Sequence, residues 1–171
     1  PILQERFETE GYVTIPLLSP EDVDKLTDLF HHFHPSTGQN QFEASTYLRD
    51  VDYKLKLRDT LRPVFQPHLD RVFRDYTYIG SAFLFKTPGN RSDVPPHQDW
   101  TIVDERQHVA INIWTPLIDA DERNGTLYVV PKSQATEIFA IRAPTIPFYY
   151  QDYMDEVMKC LVPLPTKAGH A

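Results

Sequence analysis

Residues 108–130 constrain the fold most, because they have the pattern of a strand, a tight loop and a returning strand. The segment His108–Leu117 is the clearest strand of the chain, since β-branched side chains alternate along it. The loop Asp119–Gly125 ends in Asn-Gly, a dipeptide typical of short hairpins, and Thr126–Val130 leads the chain back. The pattern predicts antiparallel pairing.

Helices are predicted in the first half of the chain. Ile2–Glu10 has the apolar spacing of a short amphipathic helix, and Ser19, with a proline directly after it, is a strong helix start. A second helical region covers Asp50–Asp75, where Pro63 and Pro67 predict two helices rather than one.

Further short strands are predicted at Tyr12–Pro16, Ser81–Lys86, Ile138–Ile141 and Lys159–Val162, and the polar segment Pro35–Tyr47 is predicted to be a surface loop. Helices followed by short strands are typical of an α+β fold whose main part is an antiparallel sandwich or barrel. A chain of 171 residues is long enough for one such domain with a sizeable core.

Composition limits the classes of partner. A net charge of -7 argues against nucleic-acid phosphates or an anionic membrane as the main partner. No apolar run is long enough to cross a bilayer. The single cysteine, Cys160, excludes an internal disulfide and predicts a cytoplasmic protein. The sequence leaves the oligomeric state open.

The strongest candidate for chemistry is His97-Gln98-Asp99. In an extended segment, residues two apart point to the same face, so His97 and Asp99 can converge on one ion. This pair is two-thirds of the 2-His-1-carboxylate set that holds non-heme Fe(II). A polar loop in which both side chains bond to the backbone is the alternative interpretation of the tripeptide.

Five motifs in order extend this observation: Phe7 with Gly11-Tyr12-Val13 and Ile15-Pro16, ahead of the helix start Ser19-Pro20-Glu21; Phe85-Lys86-x-Pro88; Pro96-His97-Gln98-Asp99; Trp114-Thr115-Pro116-Leu117; and Asn124-Gly125-Thr126-Leu127-x-Val129-Val130-Pro131-x-Ser133. With these motifs the chain resembles the phytanoyl-CoA dioxygenase family, a branch of the Fe(II)- and 2-oxoglutarate-dependent oxygenases. Lys132 and Gln134 stand where the family pattern has Gly and His.

The resemblance implies a double-stranded β-helix, or jelly roll, with the N-terminal helices packed on one sheet. It implies that His97 and Asp99 are iron ligands, that Trp114 borders the 2-oxoglutarate pocket, and that O2 and a small-molecule substrate complete the reaction. Gln98 lies between the ligands and points the opposite way, so a structural role competes with a co-substrate contact. For Trp114, a place in the barrel core is the competing interpretation.

The family's second histidine ligand and the arginine that pairs with 2-oxoglutarate lie beyond a turn that Gly169-His170-Ala171 resembles. His170 takes the place of the acid in that turn and is not assigned as the third ligand. We expect residues 1–171 to be one oxygenase domain without its C-terminal strands and helices.

The reaction implied is hydroxylation, because family halogenases have Ala or Gly in place of Asp99 so that halide can bind iron. A non-redox cupin-like isomerase or sugar-binding barrel is an alternative, disfavoured by the absence of a His-x-His pair. A non-catalytic, metal-binding barrel is another, and the missing third ligand is its only support.

Overall fold

A computed structural model describes residues 2–36, 42–89, 92–135, 140–143 and 145–171. The helices are α1 (Ile2–Glu10), α2 (Pro20–Phe33), α3 (Val51–Val72) and α4 (Met154–Cys160). The strands are β1 (Phe42–Ala44), β2 (Leu84–Lys86), β3 (Leu127–Val129) and β4 (Val162–Leu164). They form two antiparallel pairs, β1 with β2 and β3 with β4.

The chain divides into two compact units. The helical unit comprises Pro16–Val94 and Ala168–His170, and it contains α2, α3, β1 and β2. The site unit comprises the chain up to Ile15, then Pro95–Lys167 and Ala171, and it contains α1, β3, α4 and β4.

The best-buried side chains of the described residues belong to the helical unit. Leu26 of α2 and Leu57 and Leu61 of α3 are each 1% exposed. The Phe30 ring lies edge-on to Phe83 and Phe85, with centroids 5.5 and 5.3 Å apart. This unit therefore has its own apolar core.

The predicted start of α2 is confirmed. Ser19 is the N-cap residue, and its hydroxyl accepts a hydrogen bond from the Asp22 backbone N–H at 3.2 Å. The same hydroxyl donates to the Asp22 carboxylate at 2.9 Å. The Ser19 hydroxyl therefore satisfies one of the unpaired amide groups at the start of α2 and is itself held by the Asp22 carboxylate.

The prediction of two helices across residues 50–75 is wrong, because α3 continues through Pro63 and Pro67. Both prolines are exposed and stand four residues apart, so they share the solvent face of the helix. The carbonyl groups that lose their amide partners can therefore bond to water. Leu61 and Val64, both buried, hold the helix on its opposite face across the first proline.

The strand predictions have mixed outcomes. β2 lies within the predicted strand Ser81–Lys86, and β3 lies within Thr126–Val130. β4 begins at Val162, where the predicted strand 159–162 ends, because α4 extends to Cys160. β1 lies in the segment predicted to be a loop, of which residues 37–41 are outside the described range. Ile138 of the predicted strand 138–141 is also outside that range.

Two predicted strands do not form regular strands. Tyr12–Pro16 contributes an isolated bridge between Pro16 and His170. His108–Leu117 is not assigned to a strand and pairs with none of the four strands that the described residues form. Alternating side chains favour an extended backbone, but a strand also needs a neighbour for its backbone groups. The described residues contain two two-stranded sheets and no closed barrel, so the jelly roll stays a prediction.

The predicted hairpin loop and its exit are well ordered by hydrogen bonds. The Asp121 carbonyl accepts from the backbone N–H of Gly125 at 3.0 Å and of Thr126 at 2.9 Å. Gly125 has φ +102°, a conformation that favours glycine. Beyond β3, the Gln134 amide donates to the Glu8 carbonyl at 2.9 Å and so caps the C-terminal end of α1.

Candidate metal centre

His97 and Asp99 lie together in the site unit, as the extended tripeptide predicts. The His97 Nε2 atom is 3.6 Å from the Asp99 Oδ1 atom. The segment is not paired in a sheet. Residues two apart share a face in an extended chain, and the distance between the two groups agrees with that expectation. Their side chains are 52% and 62% exposed, so solvent and small ions reach both.

The other polar atom of each side chain is already bonded. The His97 Nδ1 atom lies 2.9 Å from the Pro95 carbonyl oxygen, which can only accept, so Nδ1 bears the hydrogen. The Asn112 amide donates to the Asp99 Oδ2 atom at 2.6 Å. Nε2 of His97 and Oδ1 of Asp99 are therefore the two atoms left to ligate, and they face each other. A histidine ligand whose second nitrogen donates to a carbonyl is common at metal sites.

The two groups also shift each other's protonation. The interaction with Asp99 is the largest influence on His97 and raises its pKa, while burial opposes this change and the Pro95 carbonyl reinforces it. The interaction with His97 is the largest influence that lowers the pKa of Asp99, and burial opposes it. Asn112 and the charge of Arg142 lower the pKa of Asp99 further. The site therefore favours a carboxylate, which is the form that binds a metal ion.

Arg142 holds the backbone of the same segment. Its Nε–H donates to the Asp99 carbonyl oxygen at 2.7 Å, and its guanidinium forms a two-pronged ion pair with Glu105. The backbone of Arg142 also pairs with Thr101, whose N–H donates to the Arg142 carbonyl at 3.1 Å. The side chains of Arg142 and Glu105 are only 17% and 23% exposed, so this ion pair is partly shielded from water.

Gln98 and Trp114, the predicted co-substrate residues, are both half-buried. The Gln98 Oε1 atom is buried and has no hydrogen-bond partner within the described part of the chain, and neither has the Thr115 hydroxyl. Both residues belong to the site unit. The roles of Gln98 and Trp114 toward 2-oxoglutarate remain predictions.

The donor set fits two positions of a non-heme iron site. An imidazole nitrogen and a carboxylate oxygen suit Fe(II), and the ligating atoms Nε2 and Oδ1 are paired only with each other. Over the described ranges, no group of three or more His, Cys, Asp or Glu side chains is arranged to hold a metal ion. The described residues therefore contain suitable donors for two of the three protein ligands that the predicted set needs. His170 pairs through its backbone with Pro16 in the helical unit.

Comparison with known proteins identifies the family. A model of the family described as Phytanoyl-CoA dioxygenase (PhyH) matches residues 7–171. The chain belongs to the phytanoyl-CoA dioxygenase family. The predicted resemblance is therefore confirmed, and the two facing donors lie within the family domain.

Two curated relatives are similar to the chain. Phytanoyl-CoA dioxygenase domain-containing protein 1 of Danio rerio is 26% identical over 172 residues, which cover 96% of this chain and 52% of the relative. Phytanoyl-CoA dioxygenase 1 of Oryza sativa subsp. japonica is 38% identical over 55 residues, 32% of this chain and 20% of the relative. The chain thus spans about half the length of the first relative and a fifth of the second. No solved structure matches it.

The residues that surround the two donors were not predicted from the sequence. Asn112 could have been noticed, because a polar residue within an otherwise apolar, strand-like segment suggests a specific role. No sequence pattern pointed to Arg142 and Glu105, because they are 37 residues apart and meet only in the folded chain.

None of the described helices is long and apolar enough to cross a membrane.

Proposed function

We propose that the chain is the iron-binding part of an Fe(II)- and 2-oxoglutarate-dependent dioxygenase that hydroxylates a small molecule. The observation that carries the proposal is the pair of facing donor atoms, Nε2 of His97 and Oδ1 of Asp99, 3.6 Å apart. Membership of the phytanoyl-CoA dioxygenase family supports the same reaction class.

Each residue has a defined task in this proposal. His97 binds iron through Nε2 while the Pro95 carbonyl fixes the orientation of the ring. Asp99 binds through Oδ1 while Asn112 holds Oδ2 away from the metal. Gln98 and Trp114 border the 2-oxoglutarate site, as the family resemblance implies.

Bound iron, with 2-oxoglutarate and O2, would supply the oxidation, and the protein would supply the position of the reacting groups. Asp99 favours hydroxylation over halogenation, because its carboxylate takes the position that a halide would need. A metal ion at this pair must replace any proton on Nε2, so binding weakens as the pH falls.

The test is Fe(II)-dependent succinate release from 2-oxoglutarate, measured together with Mn(II) binding. His97→Ala and Asp99→Ala each remove a ligand, so we expect losses of both signals beyond the roughly 10- to 100-fold typical of outer-shell changes. The matched controls are His32→Ala and Asp28→Ala, which change exposed residues of α2 and should leave both signals unchanged.

The outcomes separate the function classes. Succinate release that requires Fe(II) and falls in both ligand variants supports the oxygenase. Mn(II) binding that depends on His97 and Asp99, without succinate release, favours a non-catalytic or non-redox metal-binding barrel. If His97→Ala and Asp99→Ala bind Mn(II) as tightly as the control variants do, His97 and Asp99 are not metal ligands and the proposed site is wrong.

A further inference from the structure

We propose that Asn112 and Arg142 are positioning residues for Asp99, one acting on its carboxylate and the other on its main chain. The inference rests on the proposed function, since it concerns the affinity of His97 and Asp99 for a metal ion. Neither residue belongs to a motif of the family pattern described above.

Asn112 determines which carboxylate oxygen is free. Its side-chain amide donates to Oδ2 of Asp99 at 2.6 Å, on the opposite oxygen from His97. A carboxylate without this bond can turn about its Cβ–Cγ axis and exchange its two oxygens. Asn112 therefore keeps Oδ1 directed at Nε2 and makes the pair ready for an ion.

Arg142 fixes the backbone to which that carboxylate is attached. Its Nε–H donates to the Asp99 carbonyl at 2.7 Å, and its backbone forms two hydrogen bonds with Thr101, of 3.0 and 3.1 Å. Arg142 thus holds residues 99 and 101 together from a position 43 residues later in the chain.

Glu105 explains why an arginine is suited to this position. Two guanidinium nitrogens pair with the two Glu105 oxygens, which leaves Nε for the Asp99 carbonyl. A lysine has one nitrogen and cannot hold both partners in this fixed geometry. Glu105 therefore acts on Asp99 through Arg142.

The first experiment measures the dissociation constant for Mn(II) by isothermal titration calorimetry, with the unfolding midpoint recorded for each variant. We expect Asn112→Ala and Arg142→Lys each to raise the Kd by about tenfold or more. The controls are Gln107→Ala and Arg106→Lys, which change exposed residues of the same unit that bond to Asp104. The proposal is overturned if the Kd of Asn112→Ala equals that of Gln107→Ala, or if the Kd of Arg142→Lys equals that of Arg106→Lys.

Glu105→Gln tests whether Glu105 acts through Arg142. If it does, the double variant Glu105→Gln/Arg142→Lys binds Mn(II) no more weakly than the weaker single variant. If the fold-increases in Kd of the two single variants multiply in the double variant, Glu105 and Arg142 act on Asp99 independently. That result would overturn the role given to Glu105.

A measurement on the metal-free protein separates this inference from the proposed function. Arg142→Lys should speed amide hydrogen exchange at Thr101, whereas His97→Ala and Arg106→Lys should not. If the unaltered protein binds no Mn(II), the proposed function fails while the exchange rates still decide the role of Arg142. Unchanged exchange at Thr101 overturns that role.

Discussion

Lys132 has a left-handed backbone conformation, with φ +65°, at the position where the family pattern has glycine. A side chain in this region costs about 1 kcal/mol because its Cβ approaches the backbone. The backbone N–H of Lys132 donates to the Glu10 carbonyl at 2.9 Å and so joins the loop after β3 to the end of α1. That bond does not need the lysine side chain.

Lys132→Gly should therefore stabilise the protein by about 1 kcal/mol, measured as the free energy of unfolding in urea. The ion pair of Lys132 with Glu10 is 3.7 Å long and exposed, so losing it costs little. Lys132→Ala is the matched control, since it removes the same ion pair and keeps the Cβ. An equal gain in both variants would show that strain is not the cause.

Single residues of the site differ in how far the sequence predicts them. The proximity of His97 and Asp99 is predictable because they are only two residues apart in the chain, so their geometry is local. Asn112 and Arg142 reach Asp99 from 13 and 43 residues away, and no local rule gives that proximity. The donors could be predicted from the sequence, but the residues that hold them could not.

At the scale of elements, a polar link joins α2 to α3. His68 donates from Nε2 to the Asp22 carboxylate at 2.8 Å, and Arg71 lies against the other ring nitrogen. Desolvation acts to raise the pKa of Asp22, but the hydrogen bonds from Ser19 and His68 and the charge of His68 outweigh it, so the pKa is lowered. Folding therefore favours the carboxylate form of Asp22.

Asp22→Asn should cost about 1 kcal/mol of stability at neutral pH. A lowered folded-state pKa contributes stability that is present above the ordinary value of 3.8 and is lost as the pH falls through the folded value. The difference in free energy of unfolding between Asp22→Asn and the unaltered protein should thus shrink as the pH falls below 3.8, measured by urea unfolding at several pH values. Asp24→Asn, an exposed change on the same helix, is the control, and a difference that stays constant in acid would contradict the link.

Helix starts were predictable because their causes are local. Ser19 and the residues just after it contain the whole signal for α2. The continuation of α3 through Pro63 depends instead on which face of the helix meets solvent, a property of the packed chain. β1 was not predicted because its three residues form a strand only by pairing with β2, which lies about forty positions later in the chain.

At the scale of the whole molecule, a closed barrel is the hardest feature to predict from a sequence, because closing a sheet needs many pairings between distant segments. The loop Asp119–Gly125 predicts that the segments on its two sides pair with each other. In the structure, however, β3 pairs with β4 and not with His108–Leu117. Family membership, rather than the pairing in the structure, is what favours a jelly roll.

Net charge acts over the whole molecule and gives a prediction about 2-oxoglutarate, the proposed co-substrate. The chain carries -7, and 2-oxoglutarate is a dianion at neutral pH, so the two repel each other at low salt. The screening length falls from about 30 Å at 0.01 M salt to about 8 Å at 0.15 M. The KM for 2-oxoglutarate should therefore fall a few-fold over this range while kcat stays constant, measured by succinate release at each NaCl concentration.

Sucrose at equal osmolarity is the control, because it does not screen charge. A KM that rises with salt would mean that attraction by basic groups near the site outweighs the net charge, and would contradict the prediction.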